Sequence, residues 1–105
     1  MQHLRVALYL LIGGTPDEVI ERARSKGGMV EVFQEQPGFV AYGLGVTKDE
    51  FLISISIWDS ASHADAATAL AAEWVSEHIE DRVELQEDYV GDLAFLVQTG
   101  VSPTP

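Results

Sequence analysis

Two histidines and a tryptophan share one face of a predicted helix in the second half of the chain. His63, Trp74 and His78 follow the three- and four-residue steps of a helical face, together with intervening alanines and a leucine. An imidazole titrates near neutral pH, so either histidine is a candidate general base for a phenol, with Trp74 as further lining of a ligand pocket. The alternative interpretation is that both histidines lie half-solvated at the two ends of the helix, with their rings covering apolar atoms.

The spacing of the two histidines argues against a shared metal ion. Fifteen positions separate His63 from His78, which corresponds to about 22 Å along a helix axis at about 1.5 Å per residue. The chain also has no cysteine, so thiolate ligands, iron–sulfur clusters and disulfides are excluded. The sequence therefore predicts neither a metal site nor a cofactor, with a haem bound by one axial histidine as the weaker alternative.

Other candidate groups are tyrosines and serines on predicted strands. Tyr9 and Tyr42 are either phenol donors or amphipathic residues that fill the edge of the core. Ser54 and Ser56 have neither a nucleophile elbow nor a base placed beside them, so hydrolysis is not supported. The glycine pairs at 13–14 and 27–28 are not followed by the Lys-Ser/Thr of a phosphate loop.

The elements that must position these residues follow from hydrophobic periodicity. Alternating apolar residues predict strands at 4–12, 39–46 and 51–58, and a last strand at 92–97 after a stretch from 83 to 89 that is also extended in character. A Thr15-Pro16 start and a Gly27-Gly28 stop bound a first helix, and Asp59-Ser60 precedes a helix over 61–79. A short helix is predicted at 29–35.

This order predicts an α+β fold, the ferredoxin-like βαββαβ arrangement with a four-stranded antiparallel sheet and helices on one face. The strands carry more apolar residues than two helices can bury, so the sequence also predicts a homodimer formed by sheet-to-sheet packing. Gly43 and Gly45 leave one face of their strand bare. They make room either for a ligand under the helices or for a partner sheet.

Length and composition bound the remaining possibilities. With 105 residues the chain forms one domain, predicted over 1–99 with a flexible tail at 100–105. A net charge of −11 argues against nucleic acid and anionic membranes as partners and favours a neutral apolar ligand over a phosphorylated one. No leader or membrane-spanning pattern is recognised, so the sequence predicts a cytoplasmic protein.

Three short motifs then resemble the antibiotic-biosynthesis-monooxygenase-like family of dimeric α+β barrels. They are Gln36-Pro37-Gly38-Phe39 before the second strand, Trp58-Asp59-Ser60 between the third strand and its helix, and Val90-Gly91-Asp92 near the end. With the order of the elements, the resemblance covers about 90 residues. It implies a homodimer that binds a small flat apolar or aromatic molecule between sheet and helices.

The resemblance also implies site residues and a reaction. Oxygenases of this type oxidise polycyclic phenols without a cofactor, and Trp58 matches their pocket tryptophan. Ser54 stands where they have an asparagine, Ala64 where they have a tyrosine, and His78 approximately where they have an arginine. By this resemblance His78 is the catalytic candidate. The ligand-binding candidates, from both arguments, are Trp58, Trp74, Tyr42, Ser54 and His63. The alternative is a binding or interaction protein of the same fold that catalyses no reaction.

Overall fold

The computed structural model describes residues 1–97 of the chain. They form, in order, β1 (His3–Leu11), α1 (Pro16–Arg24), α2 (Met29–Gln34), β2 (Phe39–Val46), β3 (Phe51–Trp58), α3 (Ala61–His78) and β4 (Val83–Asp92). This confirms the predicted ferredoxin-like order, with α2 as the short extra helix. The tail predicted for residues 100–105 lies outside the described residues.

One antiparallel sheet joins the strands in the order β2-β3-β1-β4. β1 is central and pairs with β3 on one side and β4 on the other. Its register against β4 shifts between Leu8 and Tyr9, and that of β2 against β3 shifts between Phe39 and Ala41. The predicted four-stranded antiparallel sheet is therefore confirmed.

The helices begin where the capping residues predict. The hydroxyl of Thr15 accepts a hydrogen bond from the amide of Glu18 at 3.3 Å, and Ser60 does the same for His63 at the start of α3. Pro16 occupies the first turn of α1, where its missing amide hydrogen costs nothing. Within residues 1–97, no helix combines the length and the apolar character needed to span a membrane.

The helices cover one face of the sheet, and the core lies between them. Alternate side chains of the strands point to this face, including the buried Ala7, Tyr9, Leu52 and Trp58, and they meet the small buried residues of α3. The opposite face, here called the open face, carries the other set of apolar side chains: Leu4, Val6, Leu8, Ile53 and Ile55. Ile55 is 43% exposed there.

The structure corrects the position of the last strand and shows on which face of the sheet Gly43 and Gly45 lie. The last strand is Val83–Asp92, and the predicted strand over 92–97 is wrong; residues 93–97 have no regular structure. The edge strand β4 is long because nine of its residues pair with nine residues of β1, and local hydrophobicity does not show this pairing. Gly43 and Gly45 pair with Ile55 and Ile53, so their bare side belongs to the open face.

Candidate functional site

A small cavity lies between the sheet and the helices. Its volume is about 30 Å³, enough for one or two water molecules. β1, β2 and β3 contribute Tyr9, Tyr42 and Ser54, and α3 closes it with Ala71 and Trp74. The rest of the lining is aliphatic apart from Met29 of α2, so the cavity is an apolar space with a few polar tips.

Small side chains on α3 set the depth of this space. Ala64, Ala67 and Ala71 are all buried and face the sheet. Alanines allow the helix to approach the sheet closely, while the larger Trp74 and Tyr42 keep the two layers apart further along. Of these three alanines, Ala71 lines the cavity, beside the rings of Trp74 and Tyr42.

Tyr42 is the titratable group with the most perturbed environment in the cavity wall. Burial raises the pKa of Tyr42, because the phenolate loses hydration, and a hydrogen bond with the side chain of Ser54 opposes part of this effect. The ring of Phe33 packs edge-to-face against Tyr42, with centroids 5.1 Å apart. Tyr42 is therefore a neutral hydroxyl near pH 7, able to donate or accept one hydrogen bond inside the cavity.

Trp58, the tryptophan of the motif, lies outside the cavity and is fully buried. Phe33 and Phe39 pack edge-to-face against it at centroid distances of 5.3 and 5.6 Å. Its indole Nε1 donates to Ser56 Oγ at 2.9 Å, so its polar group is satisfied within its own strand. We call Phe33, Phe39, Ser56 and Trp58 the aromatic cluster; it fills the end of the core near the start of α3.

Trp74 separates the cavity from a surface groove, here called the His78 groove. The groove has a volume of about 320 Å³, and Trp74, His78 and Arg22 line it. The His78 ring meets the Trp74 indole edge-to-face at 4.9 Å, and Arg22 Nη1 donates to the His78 carbonyl at 2.8 Å. Trp74 Nε1 donates to the Gly27 carbonyl at 3.0 Å, which holds the indole in place.

His63 lies at the other end of α3 and does not meet His78. Its Nδ1 is 2.5 Å from Asp59 Oδ1, and this pair lies over Gly38. The hydrogen bond with His63 lowers the pKa of Asp59. Gly38 has a φ of +81°, and a Cβ there would collide with both side chains. The Pro37-Gly38 turn and the Asp59-His63 pair therefore fasten β2 to the start of α3.

The sequence prediction missed Arg5, which is buried beside the cavity. Its guanidinium is 2% exposed, on the face of β1 that meets α3. The available signal was an arginine inside an apolar strand, on the same face as Ala7 and Tyr9. Periodicity alone does not tell which strand face is covered, so the sequence did not show that this arginine is buried.

The structure thus brings together three of the six predicted site residues. Tyr42, Ser54 and Trp74 line the cavity, whereas Trp58 belongs to the aromatic cluster, His78 to the outer groove and His63 to the surface near Gly38. Among residues 1–97, no three carboxylate or imidazole side chains converge as metal ligands would.

Comparison with known proteins identifies the fold. No protein-family model matches the chain, and no curated protein matches its sequence significantly. Among solved structures, it resembles a candidate antibiotic biosynthesis monooxygenase from Chloroflexus aurantiacus, with a TM-score of 0.68 and 15% identity over 95% of this chain and 100% of the other.

A second similar structure is SnoaB, a cofactor-independent oxygenase from Streptomyces nogalater, with a TM-score of 0.67 and 18% identity over 91% of this chain and 96% of that one. A further candidate antibiotic biosynthesis monooxygenase, from Bacillus cereus, has a TM-score of 0.60 and 18% identity over 93% and 98%. The predicted resemblance to the antibiotic-biosynthesis-monooxygenase-like fold is therefore confirmed.

Proposed function

We propose that this chain binds a small, flat, apolar or aromatic molecule between its sheet and its helices. The observation that carries the proposal is the apolar cavity between sheet and helices. Three of the predicted site residues, Tyr42, Ser54 and Trp74, line it and supply aromatic and hydroxyl groups. An apolar lining with a few polar groups is the usual composition of a small-molecule site. The strongly acidic sequence favours a neutral ligand over an anionic one.

A ligand larger than water enters only if a side chain moves. Trp74 is the side chain in position to do so, because it borders both the cavity and the His78 groove. Rotation of its indole would break the hydrogen bond to the Gly27 carbonyl and join the two spaces. Met29, on the six-residue helix α2, offers a second adjustable wall because its side chain is unbranched and flexible.

The reaction we propose for such a ligand is cofactor-independent monooxygenation, which the fold shared with SnoaB supports. In the balanced form, a CH₂ group of a phenolic substrate and O₂ give a carbonyl group and water. His78 is the proposed base for the substrate proton, reaching it once Trp74 has moved. Tyr42 would hydrogen-bond the substrate oxygen, with Ser54 beside it. Trp58 and His63 lie outside the cavity and would act only through the packing of the aromatic cluster and of the Gly38 turn.

We further propose that the protein is a cytoplasmic homodimer whose two open faces pack together. The apolar side chains of Val6, Leu8 and Ile53 lie on that face with the half-exposed Ile55. Gly43 would permit close approach of a second sheet, since nothing lies within 4 Å of its missing side chain. Light scattering should give twice the chain mass, and Ile55→Lys should give a monomer.

Oxygen uptake tests the enzyme. With anthrone or a quinol as substrate, uptake should be lost in His78→Ala and kept in His3→Ala, a histidine at the start of β1 with no place in the site. Equal activity of both variants would overturn the role of His78. Tight binding of the same compounds without oxygen uptake would favour the alternative, a non-enzymatic binding protein of this fold. Absence of both binding and uptake would overturn the proposed function.

A further inference from the structure

Arg5 carries a buried charge that the chain satisfies incompletely. Its Nε donates to Thr68 Oγ1 at 3.0 Å, and Thr68 in turn donates to the Ala64 carbonyl. Its Nη1 is buried without a hydrogen-bond partner among residues 1–97. Burial of a guanidinium N–H without an acceptor is costly, so such a group is expected to meet an acceptor that the described chain does not supply.

A groove of about 230 Å³ lies beside this guanidinium, between α3 and the edge strand β4. We call it the Arg5 groove. Tyr9, Val75 and Leu85 give it apolar walls, and Ala72 of α3 leaves its mouth open. Tyr9 and Val75 also line the central cavity, so these two side chains border both spaces.

Acidic groups at the groove decide which acceptor fits. Asp88 Oδ1 is 3.7 Å from Arg5 Nε, too far for a hydrogen bond, and Glu80 also lines the groove. A carboxylate ligand would approach two acids for one arginine, which is unfavourable. A neutral hydroxyl, by contrast, can accept from the guanidinium that lines the groove and donate to Asp88 with the same oxygen.

We propose that the Arg5 groove is a binding site for the hydroxyl end of a neutral, otherwise apolar molecule, with Arg5 as donor and Asp88 as acceptor. This site is separate from the central cavity, and its ligand is independent of the function proposed there. The apolar part of the molecule lies against Tyr9, Val75 and Leu85. The hydroxyl supplies an acceptor to a buried charged donor, which gives the site its selectivity for hydroxyl over hydrocarbon.

Three probes of one ring size test this selectivity. Binding of 1-naphthol, naphthalene and 1-naphthoate is measured by calorimetry on the intact chain. We expect 1-naphthol to bind roughly tenfold or more tightly than naphthalene, since a hydrogen bond to a charged group contributes about 1.5–3 kcal/mol, more than a factor of ten in affinity. The naphthoate should bind more weakly than the naphthol because of Asp88 and Glu80.

Substitutions assign the binding to this groove. Arg5→Met should bring the affinities for 1-naphthol and naphthalene together, and Asp88→Asn should strengthen 1-naphthoate relative to 1-naphthol. Ala72→Leu fills the groove and should weaken all three probes while Arg5 stays in place. If Arg5→Met does not fold, Asp88→Asn and Ala72→Leu decide the question, because both positions are partly or fully exposed.

Trp74→Phe separates this proposal from the cavity. A probe in the Arg5 groove should bind equally well to that variant, whereas a probe in the central cavity should not. Unchanged 1-naphthol affinity in Ala72→Leu, or an unchanged preference over naphthalene in Arg5→Met, would overturn the proposed site without bearing on oxygen uptake.

Discussion

The two tryptophans of this chain are both buried, yet their surroundings differ in kind. Trp58 is enclosed by Phe33 and Phe39, and its indole nitrogen bonds to Ser56 two residues away in the same strand. Trp74 has a cavity on one side and a groove on the other, and its nitrogen bonds to Gly27, which is 47 residues away. Trp58 therefore fills space, whereas Trp74 divides it.

The Trp58 motif and the cavity beside Trp74 therefore lie at separate places along the same sheet–helix interface. The rings of Phe33 and Phe39 pack edge-to-face against Trp58 in the aromatic cluster. The cavity lies where α3 presents Ala71 and Trp74 to Tyr42. A short sequence motif can thus mark packing within the core rather than contact with a ligand.

The largest expected effect is on the aromatic cluster. Trp58→Ala should lower the free energy of unfolding by about 3–5 kcal/mol, because it leaves a cavity among rings that cannot collapse. It also leaves the Ser56 hydroxyl buried without its donor. Urea denaturation measures the change, with Trp58→Phe as a control that should cost less. A loss below about 1 kcal/mol for the alanine variant would contradict the close packing described here.

Trp74→Ala should cost less, about 2–3 kcal/mol, because the space it leaves joins a groove open to water. The same variant should bind naphthalene more tightly than the wild-type chain, since removal of the indole connects the cavity with the groove. Calorimetry checks this, and Trp58→Ala serves as the matched comparison that should create a closed void instead. Equal naphthalene binding by Trp74→Ala and Trp58→Ala would contradict the view that only Trp74 separates a cavity from a groove.

Tyr42 tests the cavity wall through pH. Because burial raises the pKa of Tyr42, its contribution to stability is complete below the unfolded-state pKa of about 10 and is lost as pH rises through the folded-state value. Tyr42→Phe should therefore flatten the fall in stability above about pH 10, measured by urea denaturation at each pH. Tyr89→Phe is the control: a hydrogen bond with Glu87 also raises the pKa of Tyr89, but this side chain is exposed, so the variant should change the slope less.

The smallest expected effect concerns the hydrogen bond between Asp59 and His63 over Gly38. The hydrogen bond with His63 lowers the pKa of Asp59, so the stabilisation it gives is present above pH about 4 and is lost as pH falls through the folded-state value. Asp59→Asn should lower the melting temperature slightly at neutral pH and not at low pH. Asp65→Asn, an exposed acid elsewhere on α3, should show no such pH dependence; a matching one would assign the effect to overall charge.

Local patterns predicted most of the fold for identifiable reasons. Thr15-Pro16 and Ser60 supply side-chain acceptors for the first amides of their helices, and these bonds depend on neighbours three residues away. The strand from 51 to 58 was predicted from its regular alternation, and its antiparallel pairing from the order of the elements. For the last strand, the sequence indicated an extended stretch at 83–89 but placed the strand itself at 92–97. The charged residues of β4 become a strand through pairing with β1, which the local pattern does not show.

The candidate site was predictable only in part. Tyr42, Ser54 and Trp74 were named from the sequence and do line one cavity, but a helical face cannot tell whether its terminal histidines point inward or lie beside the layer. His78 follows Trp74 by one turn, and its ring packs against the indole on the side of the His78 groove. Arg5 was missed because its burial depends on Thr68 and on β4, both distant in sequence.

The sequence by itself determined the order of the elements, the caps, the acidic charge that disfavours polyanions, and the excess of apolar strand residues. These follow from periodicity, composition and contacts within a few residues. The tertiary structure alone decided which face of each strand the helices cover, which tryptophan borders open space, and that a buried arginine stands beside a groove. Such outcomes depend on contacts between residues far apart in the chain, and only the folded packing brings those residues together.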